Sequence, residues 1–389
     1  MSVNIVKSND KNMPAVFSRT NPFQAKVLKN VNLNGVGSAK ETRHIELSLE
    51  GSGLSYNPGD ALGIVPSNDP ELVASLIEEM KWDGETPVTI NKQEETLSLR
   101  EALTSCFEIT LLTKKILQQA SGLTENEELR NLVLVENVDK LKEYINGRDL
   151  LDMLRDFGPW NASAQEIAGL LRKMPPRLYS IASSLASHPA QVHLTIGAVR
   201  YTSHGRERKG TCSIQVAERV NEGDTLPVFV QPNKHFHLPE FDKDIIMVGP
   251  GTGIAPFRSF IEEWAVQKAT GRSWLFFGDQ HVTCDFLYQD ELEKFQEDGV
   301  LTKIDTAFSR DTAQKVYVQH KILENSKELF EWLSNGAHFY ICGDKEHMAK
   351  DVRNAMIDVI EKEGAITREE AEAYLTDMQK QGRYQRDVY

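Results

Sequence analysis

Apolar residues change their rhythm several times along this chain. Between Glu41 and Glu50, Ile45, Leu47 and Leu49 alternate with polar positions, the period of a strand with one buried face. Pro58 to Pro66 is a short apolar run between turn residues and predicts another strand. From Asp69 the period lengthens. Asp69 suits an N-cap, Pro70 suits the first helical position, and Leu72, Val73, Leu76, Ile77 and Met80 mark one helical face. Ser98 and Glu101 have the spacing of a capping box, and helical patterns continue to about Lys173, where Pro175 and Pro176 close them. Strand character returns at Arg177 to Ile181, at Val192 to Tyr201 and at Thr225 to Gln231. These runs predict an antiparallel β-barrel broken by a helical insertion.

Beyond Phe241 the rhythm becomes strand, glycine turn, helix. Ile245 to Val248 leads into Gly249, Trp274 to Phe277 into Gly278, and Phe339 to Cys342 into Gly343, with amphipathic segments such as Leu287 to Phe295 and Met348 to Ile360 between them. That alternation predicts a doubly wound parallel sheet. The expected class is therefore an α/β multidomain protein. Its expected parts are a polar leader at 1–20, a barrel domain at 21–240 with the insertion at about 69–174, and a Rossmann-like domain at 241–389.

A length of 389 residues fits two or three domains, and 40% apolar with 26% charged residues is ordinary for globular chains. The net charge of −13 argues against a nucleic-acid binder, whose phosphate partners require a basic surface. The four cysteines, Cys106, Cys212, Cys284 and Cys342, have neither C-x-x-C spacing nor a histidine at zinc-ligand spacing, so neither a disulfide framework nor a metal is expected. His235 and His237 lie two apart but lack further ligands and read as loop residues. The N-terminus has no apolar run of signal-peptide length and no stretch approaches a membrane span, so the expected location is the cytoplasm.

The candidate chemistry lies at the glycine turns. Gly249 to Arg258 follows an apolar strand and opens a helix, with Gly251, Thr252 and Gly253 at the turn. Such a helix start favours a pyrophosphate through free backbone N–H groups and the helix dipole. A tight turn with no ligand is the plainer alternative. Ser309-Arg310 ends a later strand and Lys315-Val316-Tyr317-Val318-Gln319 follows, offering cations, a hydroxyl and an aromatic ring to an adenosine with an extra phosphate. That favours NADPH over NADH. In the first half, Arg177 and Tyr179 share one face of a strand, where a guanidinium can hold phosphate beside a phenol covering a flat ring. Gly210-Thr211-Cys212-Ser213 precedes a helical pattern and offers another pyrophosphate position.

Arg177 to Ser180, Gly210 to Ser213, Gly249 to Gly253, Ser309-Arg310, Lys315 to Gln319, Cys342-Gly343-Asp344 and Asp387-Val388-Tyr389 occur in an order that resembles the NADPH-dependent diflavin reductases of the ferredoxin-NADP reductase superfamily. The resemblance runs from about Asn21 to Tyr389, and Arg383 to Tyr389 is most similar to the sulfite reductase flavoprotein branch. It implies that Arg177, Leu178, Tyr179 and Ser180 hold FAD, with Thr195, Ile196, Gly197 and Tyr201 on its adenine and ribose side. It places Gly210, Thr211, Cys212 and Ser213 at the pyrophosphate and Thr110 of the insertion near the flavin. For NADPH it points to Ser309, Arg310, Lys315, Val316, Tyr317, Val318, Gln319 and Asp351.

By the same resemblance Ser180, Cys342 and Asp387 bracket hydride transfer. Ser180 would bond the flavin nitrogen, Cys342 would pack on the nicotinamide, and Asp387 would stabilise its developing positive charge. Tyr389 would stack over the flavin and swing aside for the nicotinamide. Members of the branch carry an N-terminal flavodoxin domain with FMN. Here the barrel pattern begins shortly after Met1, so no FMN domain is expected in this chain.

The implied activity is hydride transfer from NADPH to FAD, then electron transfer to a separate protein. That acceptor would be a flavodoxin-like FMN protein, a ferredoxin or the sulfite reductase hemoprotein, in assimilatory sulfite reduction to sulfide for cysteine biosynthesis. Two alternatives stay open: a general NADPH reductase of a flavodoxin, ferredoxin or heme protein, and a nucleotide-binding subunit without turnover.

Overall fold

The computed structural model describes residues 17–389; residues 1–16 of the expected leader lie outside the described residues. The chain opens with β1 (Phe23–Asn32), β2 (Thr42–Ser48) and β3 (Ala61–Ile64), whose alternating apolar residues point to one core. Asp69 then caps the helix Pro70–Glu79 by accepting from the Glu71 N–H. Ser98 and Glu101 cap the helix Leu99–Ser105 reciprocally. The insertion continues through helices as far as Leu170 and has its own apolar core around Leu76, Leu103, Leu117 and Met153. It also contains a short hairpin, β4 (Pro87–Thr89) and β5 (Thr96–Ser98), which the helical period did not reveal.

The barrel resumes with β6 (Arg177–Ser180) and β7 (Gln191–Gly197), followed by the hairpin β8 (Arg200–Ser203) and β9 (Arg206–Lys209) and then β10 (Thr225–Gln231). The order β6-β3-β10-β1-β2-β7 is antiparallel throughout. A bridge between Ile181 and Leu194 joins its two ends, with the Ala182 N–H donating to the His193 carbonyl at 2.8 Å. Closure removes the exposed edges that an open sheet would present.

One expected strand divides. Val192 to Tyr201 does not run through, because Gly197 faces Thr42, where the partner strand β2 begins. After one further bond, from the Ala198 N–H to the Glu41 carbonyl, the chain turns, and Tyr201 belongs to the separate β8–β9 ribbon. The helical pattern after Gly210 begins at Thr211 and passes into a π-helical turn over Gln215–Arg219.

The second half forms a five-stranded parallel sheet from β11 (Ile245–Val248), β12 (Ser273–Asp279), β13 (Lys303–Phe308), β14 (His338–Gly343) and β15 (Tyr384–Val388). Its order is β13-β12-β11-β14-β15, so the chain winds outward from β11 and then reverses to the other side. The final residues, which carry no strand pattern in the sequence, are the fifth strand, in register with β14 so that Cys342 faces Asp387. The capped helix Arg368–Lys380 delivers this edge strand. Among the described residues no helix is long and apolar enough to cross a membrane.

Candidate nucleotide cleft between barrel and parallel sheet

A doubly wound sheet leaves a crevice where its strand order reverses, at the carboxyl ends of the strands. Here that point lies between β11 and β14, and the turns after them meet: a side chain at Gly253 would collide with the Cys342 carbonyl. Gly343 adopts φ +131°, a backbone conformation that glycine accepts without strain. The barrel edge β6 faces the same crevice. Between them opens a cleft of about 1940 Å³, lined by Arg177, Tyr179, Ser180 and Thr195 from one side and by Thr252, Ser309, Tyr317 and Asp387 from the other. A pocket for one drug-sized ligand spans roughly 300–1,000 Å³, so this one has room for two dinucleotides.

On the barrel wall, Arg177 is held from behind. Its Nη2 donates to Glu108 Oε2 at 3.0 Å and its Nη1 to the Pro175 carbonyl at 2.7 Å. Glu108 is fully buried and also accepts from the Thr110 hydroxyl at 2.5 Å and the Thr110 N–H at 2.9 Å. Burial pushes the Glu108 carboxyl up, but the bonds from Thr110 and Arg177 outweigh it and hold the group below the ordinary carboxylate range. Tyr179 packs beside Cys212, whose thiol burial pushes up to about 11. Both side chains line the cleft wall.

Within the cleft the two domains also bond directly to each other. The Ser180 hydroxyl donates to Asp387 Oδ2 at 2.6 Å, joining β6 to β15. Cys342 lies beside this pair, fully buried, its thiol pushed well up by burial and then by the Asp387 charge. Burial also raises Asp387, against the bond from Ser180. Tyr389 ends the chain over the cleft, its hydroxyl 3.1 Å from Thr252 Oγ1 and its N–H donating to the Gly343 carbonyl at 3.1 Å.

Not every residue read from the sequence reaches this cleft. Leu178, Gly197, Gly210 to Ser213, Gly251, Val318, Gln319 and Asp351 line it too, and Gln319 Nε2 donates to Asp351 Oδ2 at 3.1 Å. Ile196 is buried in the barrel core, Val316 packs on the parallel-sheet core, and Gly253 and Cys342 lie beneath the surface. Arg310 and Lys315 are exposed and do not line the cleft. Thr110 and Tyr201 open instead on a second cavity of about 460 Å³ that adjoins the first.

Sequence reading missed three features. Glu108 is one; it carries no signal except a lone acid in an apolar stretch. Lys40, whose Nζ donates to Asp279 Oδ1 at 2.5 Å across the domain boundary, is another. The third is a buried polar interface around Arg258, which donates to the Ala182 carbonyl at 2.5 Å and pairs with Glu262 at 2.9 Å and Glu291 at 2.8 Å. Nearby, His44, Glu46 and His193, and likewise His188, His193 and Glu262, bring ligand-type atoms within 4.8 Å of one another. The Arg258 guanidinium already stands 3.4 Å from His193 Nδ1, so a cation is present there as protein. His235 and His237 are not in these groups.

The donor set suits flavin and nicotinamide dinucleotides: a supported guanidinium and small hydroxyls on the barrel wall, and a glycine turn on the sheet. Residues 15–214 match the FAD binding domain family, and residues 247–354 match the oxidoreductase NAD-binding domain. The sulfite reductase [NADPH] flavoprotein alpha-component of Bacillus subtilis (strain 168) is 64% identical over 374 residues, covering 96% of this chain and 62% of that one. The proteins of the same name from Vibrio parahaemolyticus and Escherichia coli O139:H28 are 45% and 46% identical, each again over 96% of this chain. The chain thus spans about three fifths of the length of these curated relatives (62%, 59% and 62%). More than half of its residues fall within the first match, and the chain belongs to the FAD binding domain family, with an oxidoreductase NAD-binding domain behind the barrel.

Proposed function

We propose that this chain takes hydride from NADPH onto FAD within the cleft and hands the electrons to a separate protein, in the reduction of sulfite to sulfide. The observation that carries the reading is the Ser180–Asp387 bond at 2.6 Å, which brings the barrel wall and the nicotinamide-side sheet to one point beside Cys342. FAD, when bound, supplies an acceptor for two electrons that can release them one at a time.

The chain's residues orient and exclude. Arg177 presents its guanidinium to the flavin's phosphate, and Tyr179 covers the ring. Asp387 places a carboxylate where positive charge develops on the nicotinamide, an interaction strengthened by burial. Ser180 bonds Asp387 in this structure and can turn the same hydroxyl to a flavin nitrogen. Tyr389, held through its hydroxyl and by two backbone bonds, its N–H donating to Gly343 and its carbonyl accepting from the Lys345 N–H, lies where it must yield before nicotinamide enters. Ser309, Tyr317, Gln319 and Asp351 edge the part of the cleft assigned to the adenosine of NADPH. The 64% identity to a named sulfite reductase flavoprotein supports sulfite reduction as the destination.

The test is direct. Purified protein is expected to be yellow, to bleach under anaerobic NADPH, and to reduce ferricyanide. Adding a flavodoxin-like FMN protein, a ferredoxin or the sulfite reductase hemoprotein one at a time identifies the acceptor by NADPH consumption and sulfide release. A colourless protein inert to NADPH would refute the redox reading. Turnover with a flavodoxin but no sulfide under any combination would refute the destination alone.

A further inference from the structure

The second cavity, about 460 Å³, shares Arg177, Val199, Gly210 and Thr211 with the main cleft, so the two form one groove that continues past the Gly210 turn. Its outer wall is the β8–β9 hairpin, which carries Tyr201 half exposed. Among the described residues this ribbon pairs with no other sheet strand. A lone two-stranded hairpin is marginal in water, so something else must fix its place.

Four charges do so. Arg206 Nη1 donates to Asp149 Oδ1 at 2.9 Å and to Asp152 Oδ1 at 2.5 Å. Arg208 Nη1 donates to Asp149 Oδ2 at 2.6 Å, and its Nη2 lies 2.8 Å from Asp152 Oδ2. Asp149, Asp152 and Arg208 are buried. The two carboxylates are themselves aimed by backbone, since they form the reciprocal cap of the helix Leu150–Asp156 in the insertion. His204 adds a ring nitrogen 2.9 Å from the Asn146 carbonyl. Buried ion pairs contribute little net stability against apolar packing, but breaking one is costly, so they specify geometry.

Asp149, Arg206 and Arg208 line the second cavity and not the main cleft. A flavin mononucleotide, placed with its ring on Tyr179, ends at the phosphate beside Arg177. Only a dinucleotide has a further half to reach beyond the Gly210 turn. We propose that the Asp149–Asp152–Arg206–Arg208 quartet is a positioning device that holds the Tyr201 wall of the groove and so selects a flavin dinucleotide over a mononucleotide, making the helical insertion part of cofactor selectivity. This rests on the reading that FAD lies with its ring at β6 and its pyrophosphate at Gly210 to Ser213.

The test strips flavin from the full chain and titrates it back with FAD and, separately, with FMN. Two variants are compared with the unaltered chain. Asp149→Asn keeps a capping oxygen but loses the charge, and Arg206→Gln alters the less buried arginine. Each is expected to weaken FAD by about tenfold while leaving FMN within about twofold, and Arg206→Lys to restore part of the FAD preference. Equal weakening of both flavins, or no change for FAD, overturns the proposal. If Asp149→Asn fails to fold, Arg206→Gln decides by the same ratio. An unaltered chain that binds FAD no tighter than FMN would instead overturn the FAD placement beneath it.

Discussion

The barrel wall of the main cleft and the exposed segment beyond its other end are held in opposite ways. At the barrel end, Arg177 rests on a buried Glu108 and Ser180 is bonded to Asp387, so the side chains expected to meet FAD already have their positions. Beyond the other end, outside the lining of the cleft, Arg310 and Lys315 stand in solvent, and among the described residues neither side chain has a partner. A long exposed cation loses rotamer freedom when it grips a ligand, whereas a supported one has lost it on folding. The first arrangement suits a cofactor that stays, the second a nucleotide that comes and goes.

The largest effect that would break this contrast lies behind Arg177. Glu108→Ala leaves a half-buried guanidinium without its carboxylate, its remaining bond going to the Pro175 carbonyl, and is expected to lower stability by about 3–5 kcal/mol, read by denaturant unfolding. The folded Glu108 carboxyl sits below its unfolded value, so its contribution is present above that value and is lost as pH falls through the folded one. A loss below about 1 kcal/mol would show that Arg177 does not depend on its support.

Asp387→Asn keeps the shape and removes the charge. Turnover with NADPH is expected to fall by about 10²–10³, with the flavin still bound and KM little moved. Unchanged turnover would remove Asp387 from the reaction.

Arg310→Ala probes the exposed end. It is expected to cost about 1.5–3 kcal/mol of NADPH binding and leave NADH nearly unaffected, measured as the ratio of the two affinities. Equal losses would disprove its role in reading the extra phosphate.

The smallest expected effect sharpens the comparison at the domain interface. Burial, then the neighbouring Arg258 charge, lowers the His44 pKa to about 4, although Glu46 opposes this. The unfolded ring binds its proton near the ordinary 6.5, so between these values the unfolded state holds more protons and stability falls as pH drops. By pH 5 the loss is on the order of 1 to 2 kcal/mol, and His44→Gln is expected to flatten that slope in thermal unfolding. His193 is lowered in the same way, to about 2, and His188, Glu262, Tyr288, Lys29 and Arg258 are further charged or titratable groups nearby.

Legibility followed how local each signal is. The Asp69 and Ser98 caps and the run Thr225–Gln231 appear where the sequence placed them, because capping and alternation act within a few residues. The glycine turn at Gly251 to Gly253 was equally plain. Glu108 was not, since its meaning depends on Arg177, far along the chain. The Val192 to Tyr201 run was over-read because a strand ends where its partner ends, and no local pattern records the start of β2. The final residues were under-read because an edge strand with one buried side chain, Tyr384, barely differs from a polar tail.

The sequence by itself determined a barrel, an insertion, a parallel sheet and the residue types able to hold two nucleotides, since period, caps and glycine turns are properties of neighbouring residues. Only the tertiary structure decided that Ser180 meets Asp387, that Arg177 leans on Glu108, and that Cys342 lies beneath the surface. Those relations join residues far apart in the chain, and they exist only once closure of the barrel and reversal of the sheet bring the segments together.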